Sequence, residues 1–384
     1  MQGYSFAKFG ARYPSAGGLL EYVAAGFGLG MVTGLTAWLT YSANLLVTAM
    51  VAVSFGSYAS TMFTDDSAVW VKIFAALLIV AMTLLNVSGS TYVARAQSVI
   101  VYVVLTTLVV FAIATLLNMD PSLLDPSGYP SRREITSSVA LTFFAFLGFG
   151  VVTFTAKDLP SPSTQLPKAM FLALGIATVV YVAIALGVFG TLSVEKVVSS
   201  GPTALAVAAQ PVLGRVGYWM MSVTALFSTA GATNAGLYPA TGLCDRLAET
   251  GQFPPVMARR VGGRMPMGLL IMAAAGVVLV LGFNLTAIAS IGSAVALLIF
   301  MLVTAAHLRV RSETGAHLWL LILAIGTAGI AFLTFVTTTL VDEPTSAVAL
   351  VVIFALSLGL ELWWWRARRT GTPVGGRPDE SAGR

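Results

Sequence analysis

Charge is scarce in this chain of 384 residues, since Asp, Glu, Lys and Arg together make up 10% of it. Cysteine occurs once and histidine twice, which excludes an internal disulfide and argues against a metal site built on thiolates. None of the lysines lies in a glycine-rich phosphate-binding loop, so no ATP-driven motor is encoded here. We therefore expect no metal, no cofactor and no enzymatic activity.

Apolar residues dominate the composition instead. Hydrophobic residues make up 57% of the chain, and its mean hydropathy is +0.88. Such a chain has too little polar surface to cover a soluble globule, which makes it a polytopic membrane protein. Each predicted span approaches the ~20 residues that a helix needs to cross the hydrocarbon core. The ten predicted spans cover residues 30–56, 69–87, 97–118, 136–156, 169–192, 217–240, 267–284, 286–308, 318–340 and 346–365.

The distribution of Lys and Arg predicts the orientation. An even number of spans places both termini on one side, and 16 of the 21 Lys and Arg residues lie in segments on that side. The positive-inside rule makes it the cytoplasmic side, so we expect a multi-pass protein of the plasma (inner) membrane. The net charge of +5 then reflects orientation and contact with anionic lipid of the bilayer, and nucleic acid is not an expected partner.

The span at 136–156 carries features that no other span combines. Gly148 and Gly150 lie in its second half, and Pro160, Pro162 and Pro167 follow before the next span. A glycine-containing helix can open its backbone, but an unpaired backbone group costs several kcal/mol at membrane depth. An opened helix is therefore tolerated only where it lines a cavity in the protein. We predict a break near Gly148 that faces the protein interior and binds a ligand.

Four segments of the chain resemble motifs of one transporter family, the amino acid permeases of the amino acid–polyamine–organocation superfamily. The resemblance is closest to broad-specificity prokaryotic permeases of the cationic-amino-acid-transporter type. The segments are YPSAGG at 13–18, FFAFLGFG at 143–150, PSPSTQLPKAM at 160–170 and DRLAETGQFP at 245–254.

The resemblance implies an all-α fold of two inverted five-helix repeats with two added C-terminal helices. The broken helix would then be the sixth of twelve, yet only three full spans precede it here. We therefore expect an N-terminally truncated chain that lacks the first helix and most of the second. Residues 1–365 would form a permease domain of ten full spans and an N-terminal stub, and 366–384 a basic cytoplasmic tail.

The resemblance also implies a substrate site in the broken helix. Phe144 would form an aromatic gate, and the carbonyls of Phe144, Ala145 and Leu147 would receive the α-ammonium group of an amino acid, with Phe146 and Gly148 completing the opened segment. Opened carbonyls carry the partial negative charge that this role needs. The alternative is a packing face of ordinary aromatic side chains.

Two asparagines within the spans leave a similar choice open. Asn44 could contact the substrate, and so could Asn234. The alternative for each is an interhelical hydrogen bond, which is the commoner role of asparagine within a membrane.

The coupling ion is left open between H⁺ and Na⁺. Proton-coupled relatives carry a lysine on helix five, whose aligned position here is Val104, a residue that cannot hold a proton. Ser228 and Thr229 are the candidates for coupling through hydroxyl groups. We expect Lys72 and Glu361 to extend from span ends toward water, and His307 and His317 to lie in a solvated loop.

The predicted function is secondary active transport of amino acids by alternating access. One alternative is a truncated, non-transporting remnant that inserts in the membrane, and another is a polyamine/amino acid exchanger. An ion channel is disfavoured because the spans show no repeated polar or charged rings along a pore.

Overall fold

A computed structural model describes residues 1–15, 17–64, 67–88, 91–125, 129–263, 265–338 and 344–369. The α-helices are α1 Gln2–Arg12, α2 Leu19–Phe27, α3 Met31–Phe63, α4 Ala68–Ser88, α5 Thr91–Leu117, α6 Arg132–Thr142, α7 Pro162–Phe189, α8 Val194–Ser200, α9 Ala204–Glu249, α10 Met267–Gly282, α11 Leu285–Arg309, α12 Arg311–Thr314, α13 Leu318–Thr337 and α14 Pro344–Arg369. The 3₁₀ helices are Pro121–Leu124, Phe143–Asp158, Gly201–Thr203 and Pro255–Ala258.

Within these residues, eight helices are long and apolar enough to cross a membrane. This confirms the all-α polytopic fold. Each of the ten predicted spans has a helical counterpart, but two differ from the prediction. The counterpart of 267–284 is α10, which has only 16 residues, and the span at 136–156 is divided between α6 and the 3₁₀ helix Phe143–Asp158.

Two long helices, α3 and α9, pack against each other at the centre of the molecule. Besides α9, α3 contacts α4, α10 and α11, while α9 also contacts α4, α5 and α10. Their approach is close because Gly236 of α9 lies beside the Thr48 hydroxyl of α3. Small residues at such a contact are typical of membrane helices, where van der Waals packing replaces the hydrophobic effect.

The long helix α9 is interrupted near its beginning. Gly214 has φ 64° and ψ −160°, a conformation that is essentially restricted to glycine. The interruption separates a short segment at 204–213 from the membrane-crossing part of α9, which contains the predicted span 217–240. The boundary of that span is therefore set by one glycine.

Contacts among the loops place several chain segments on one side of the molecule. Glu21 of α2 pairs with Arg246 at the end of α9 (3.2 Å), and the Trp364 indole of α14 donates to the carbonyl O of Gly251 (2.9 Å). Between them, the Phe253 ring stacks on Trp38 of α3 (4.1 Å between centroids). A short antiparallel ladder, β1 Arg260–Val261 with β2 Met265–Pro266, closes this loop before α10.

The first helix is attached to the distant end of α11 by hydrogen bonds between polar side chains. Thr304 donates to Gln2 Oε1 (2.6 Å), and the Ser5 hydroxyl bonds His307 Nδ1 (2.8 Å). Thr314 Oγ1 donates to the Arg311 carbonyl and also bonds His307 Nε2, so it accepts from that nitrogen. The expectation of a solvated His307 is wrong, because His307 is completely buried and one of its partners, Ser5, lies 302 residues away in sequence.

Glu361 is likewise buried, contrary to the expectation that it extends toward water. Its Oε1 accepts from Arg368 two turns later in α14 (2.8 Å). Lys72 remains exposed and donates to the carbonyl O of Leu281 (2.7 Å), where its charge suits the C-terminal end of α10. The end of α14 at Arg369 lies beyond the predicted span boundary at 365, and the rest of the predicted tail lies outside the described residues.

Candidate functional site

The predicted span at 136–156 changes its hydrogen-bonding pattern part-way along its length. The helix α6 begins with a capping box between Ser131 and Glu134 and ends at Thr142. From Phe143 the backbone continues as a 3₁₀ helix of 16 residues, although 3₁₀ runs rarely exceed three or four residues. The change occurs before Gly148, which lies inside the 3₁₀ helix rather than at its start.

One face of this 3₁₀ helix is anchored in the protein core. Phe149 is buried, and its ring makes contacts with Phe6 of α1 (5.3 Å between centroids) and Phe300 of α11 (5.4 Å). Phe143 also packs edge to face on Phe300 (5.4 Å). Three aromatic contacts therefore fix the rotation of the segment about its own axis.

The other face of the segment is open and lies beside α7. Ala145 and Gly148 are exposed, and the Phe146 ring packs edge to face on Tyr181 (5.3 Å). The Tyr181 hydroxyl donates to the carbonyl O of Ala145 (3.1 Å). Side chains of Phe144 and Leu147 lie outside the part of the chain whose side chains are described.

A cavity of about 400 Å³ lies between α5, α7 and α9. Among the described residues, its lining is apolar apart from three uncharged polar residues and includes no charged side chain. The lining residues are Gln97, Ile100, Val101, Val104, Leu105, Leu108, Ala173, Ile176, Ala177, Val180, Tyr181, Ser228 and Ala232. Tyr181 belongs both to the cavity wall and to the hydrogen bond with Ala145, so it links the cavity to the 3₁₀ segment, although none of the described residues of that segment lines the cavity.

The two hydroxyl candidates for coupling, Ser228 and Thr229, have different surroundings in the structure. Val104 and Ser228 line the same cavity, although they lie on different helices. Thr229 is not among the lining residues, and its hydroxyl donates to the carbonyl O of Ala225 within α9 (2.6 Å). Ser228 is therefore the one of the two hydroxyl candidates that this cavity can present to an ion.

The two asparagines that could contact a substrate make hydrogen bonds within the bundle. Asn44 Nδ2 donates to the carbonyl O of Thr40 in its own helix (3.0 Å), and Asn44 is not among the cavity-lining residues. Asn234 Oδ1 accepts from Asn86 Nδ2 (2.7 Å), which joins α9 to α4. These contacts correspond to the interhelical alternative for Asn234.

Sequence reasoning missed two polar residues of the cavity, Gln97 and Tyr181. Gln97 is the first residue of a predicted span, and its side-chain amide lies beside Gly231 of α9. Tyr181 lies in the middle of an apolar span, where a hydroxyl group usually requires a partner. The position of Tyr181 was a signal that its hydroxyl bonds another helix, but the sequence does not show which one.

Residues 1–364 of this chain, which include the segment and the cavity, match a family model described as amino acid permease. The chain belongs to the amino acid permease family. This membership confirms the family that the four sequence motifs indicated, and it identifies a transporter rather than an enzyme. Among the described residues, no group of three or more His, Cys, Asp or Glu side chains is arranged to hold a metal ion.

Similarity to individual members of the family extends over most of the chain. This chain is 31% identical over 323 residues to the inner membrane transport protein YbaT of Escherichia coli. The aligned region covers 83% of this chain and 75% of YbaT. An uncharacterized protein of Methanocaldococcus jannaschii is 32% identical over 316 residues, or 82% of this chain and 73% of that protein. The human large neutral amino acids transporter small subunit 2 is 26% identical over 271 residues, or 66% of this chain and 49% of its own length.

Proposed function

We propose that this permease carries out secondary active transport of amino acids by alternating access, with the substrate held at the opened segment 143–158. The observation that supports the proposal is the 3₁₀ stretch inside the predicted span, which Tyr181 links to the cavity between α5, α7 and α9. The backbone hydrogen bonds of a 3₁₀ helix have poorer geometry than those of an α-helix, and long 3₁₀ runs inside a helix often mark a functional hinge. In this proposal the substrate bonds carbonyl groups of this segment.

The chemistry of the segment suits the α-ammonium group of an amino acid. Backbone carbonyls carry partial negative charge and have two lone pairs, of which a 3₁₀ hydrogen bond uses one. Tyr181 donates to the Ala145 carbonyl from outside the segment, so a carbonyl of this segment does accept a donor in addition to its helical hydrogen bond. In this proposal Phe144, Phe146, Leu147 and Gly148 form the rest of the site.

The cavity supports a neutral substrate over the alternative of a polyamine. A polyamine brings several positive charges, and burying them without carboxylate partners is costly. No charged side chain of the described residues lines the cavity, whereas an apolar amino acid side chain fits its walls. The name of the human relative, a large neutral amino acids transporter, suggests the first substrates to test.

The proposal is tested by filling the cavity at one position and changing its neighbour as a control. Val180 lines the cavity, while Val179 is 70% exposed on another face of α7. We expect Val180→Trp to abolish saturable uptake of radiolabelled leucine in proteoliposomes, because the larger side chain occupies the cavity. Val179→Trp should retain uptake. Equal uptake by both variants would contradict a role for this cavity.

The same assay decides the alternative that residues 1–384 insert without transporting. Reconstituted wild-type protein that shows no saturable uptake of any amino acid, while it remains folded and inserted, would support that alternative. Uptake that is competed by unlabelled neutral amino acids but not by putrescine would support the proposed function over an exchanger of polyamines.

We also propose a plasma (inner) membrane location with both termini in the cytoplasm. The loops joined by the Glu21–Arg246 pair and by the Trp364–Gly251 hydrogen bond lie on one side of the molecule. These loops and the end of α14 carry much of the Lys and Arg excess, which supports a cytoplasmic assignment for this side.

A further inference from the structure

The last two turns of α14 carry three tryptophans and three arginines in the sequence WWWRARR at 363–369. The sequence makes the three arginines look equivalent, but the structure separates them. Arg368 donates to the buried Glu361 carboxylate (2.8 Å), and only 25% of its side chain is exposed. Its charge is therefore already neutralised within the protein.

Arg369 differs from Arg368 in both partner and exposure. Arg369 is exposed, and its guanidinium carbon lies 3.8 Å from the centroid of the Trp365 ring one turn earlier. A guanidinium group that stacks on an aromatic face keeps its N–H donors in the plane of the group, where they remain free to bond an anion. The stacking also lowers the entropy that a flexible arginine loses on binding.

The surroundings of Arg369 combine exposed aromatic and basic groups. Trp363 is 53% exposed, and Arg366 is exposed as well. Tryptophan rings favour the level of the lipid headgroups, with the apolar part of the ring toward the acyl chains. Among the described residues of this helix end, Glu361 is the one carboxylate, and it is bound to Arg368.

A second stacked arginine lies on the same side of the molecule. Arg309, at the end of α11, lies over the Phe27 ring of α2 (4.3 Å to the centroid). The helices α11 and α14 are separated in sequence by a single long helix, α13, so their C-terminal ends emerge on the same side. The end of α14 therefore belongs to a basic and aromatic surface at the membrane boundary.

We propose that Arg369 and Trp365, together with Trp363 and Arg366, form a binding site for the headgroup phosphate of an anionic phospholipid. The planar guanidinium group of Arg369 bonds two phosphate oxygens, Arg366 adds positive charge, and Trp363 contacts the glycerol and upper acyl region. Arg368 takes no part because it holds Glu361. The site is independent of the proposed substrate segment.

The experiment compares phosphatidylglycerol with phosphatidylcholine on delipidated protein in detergent, using native mass spectrometry to measure bound lipid. We expect wild-type protein to retain phosphatidylglycerol preferentially. Removal of one basic residue near an anionic surface should weaken this binding about fivefold, so Arg369→Gln is the first variant. Arg369→Lys should give an intermediate affinity, because it keeps the charge but loses the planar fork.

The control is Arg215→Gln, which removes an exposed arginine near the other end of the bundle and should leave lipid binding unchanged. Trp365→Leu should weaken binding while keeping all three arginines. Inorganic phosphate at millimolar concentration should not displace the lipid, because the site recognises a headgroup held at the membrane boundary. Wild-type affinity in Arg369→Gln, equal binding of phosphatidylcholine, or displacement by free phosphate would each overturn the proposal.

Discussion

The missing side chain at Gly34 allows the Glu361 carboxyl group to lie against the first turns of α3. A methyl group at this position would overlap the carboxyl group, while Arg368 holds its Oε1. Its Oε2 has no hydrogen-bond partner among the described residues. The arrangement tolerates little change, because a buried carboxylate that loses its cation is strongly destabilising.

Substitution of Gly34 should therefore destabilise the protein while substitution of Gly30 does not. Gly34→Ala forces the Glu361 carboxyl group away from Arg368, and overpacking of this kind costs about 1–3 kcal/mol. Gly30 has no neighbour within 4 Å of the position that a methyl group would take, which makes Gly30→Ala the matched control. Thermal unfolding in detergent should show a lower Tm for Gly34→Ala only. An unchanged Tm in that variant would mean that the contact is not structurally important.

The loop after α9 packs against the helices through one aromatic side chain, Phe253. Phe253 is completely buried, stacked on Trp38 and edge to face with Tyr41 of α3. Its backbone N–H donates to the carbonyl O of Leu247 (3.0 Å), which folds the loop back onto α9. The loop therefore covers the end of α9, and the buried Cys244 of α9 lies with Met257 beside Gly268 of α10.

Truncation of Phe253 should expose Cys244. Removal of a buried phenylalanine ring costs about 3–5 kcal/mol, so Phe253→Ala should loosen the loop and open the path to the thiol. Cys244 is the only cysteine in the chain, so maleimide labelling reports on this site alone. Phe63, which is 67% exposed at the end of α3, provides the control Phe63→Ala. Identical labelling rates in the two variants would contradict the covering role of the loop.

Element positions followed from local sequence, but the buried polar contacts did not. Hydropathy located both ends of α4 and α11 to within one residue because each span carries its own apolar signal, whereas α3 continues to Phe63, beyond its predicted end at 56. His307 and Glu361 were predicted to contact water because the sequence does not show their partners. Ser5 is far from His307 in sequence, and the pairing of Glu361 with Arg368 depends on how α14 is rotated against its neighbours. The opened segment was predicted near Gly148 from its glycines, whereas the α-helix ends at Thr142. Aromatic contacts of Phe143 and Phe149 with other helices set that position, and no local pattern encodes them.

The orientation of the whole molecule in the membrane is a prediction that two single cysteines can test. Ser122 and Ser312 are both exposed, and they lie in loops predicted to face opposite sides. In a Cys244→Ser background, a membrane-impermeant maleimide should label Ser122→Cys in intact cells. Ser312→Cys should be labelled only after permeabilisation. The reverse pattern would show that the termini face outward and that the Lys and Arg excess has been misassigned.

Energy coupling is also a property of the whole molecule, because it joins the cavity to the gradients on its two sides. Val104 lines the cavity but carries no proton, so a proton gradient should not drive uptake through this position. If sodium drives uptake instead, Ser228→Ala should weaken the sodium dependence. Thr229→Ala should not, since Thr229 bonds its own helix backbone. Uptake of radiolabelled leucine under imposed proton or sodium gradients, at equal membrane potential, measures both effects.

Val104→Lys tests the coupling position itself, because a buried lysine can release its proton and should make uptake depend on the proton gradient. Simple inhibition by Val104→Lys, with no new proton dependence, would contradict the assignment of Val104 to the coupling position.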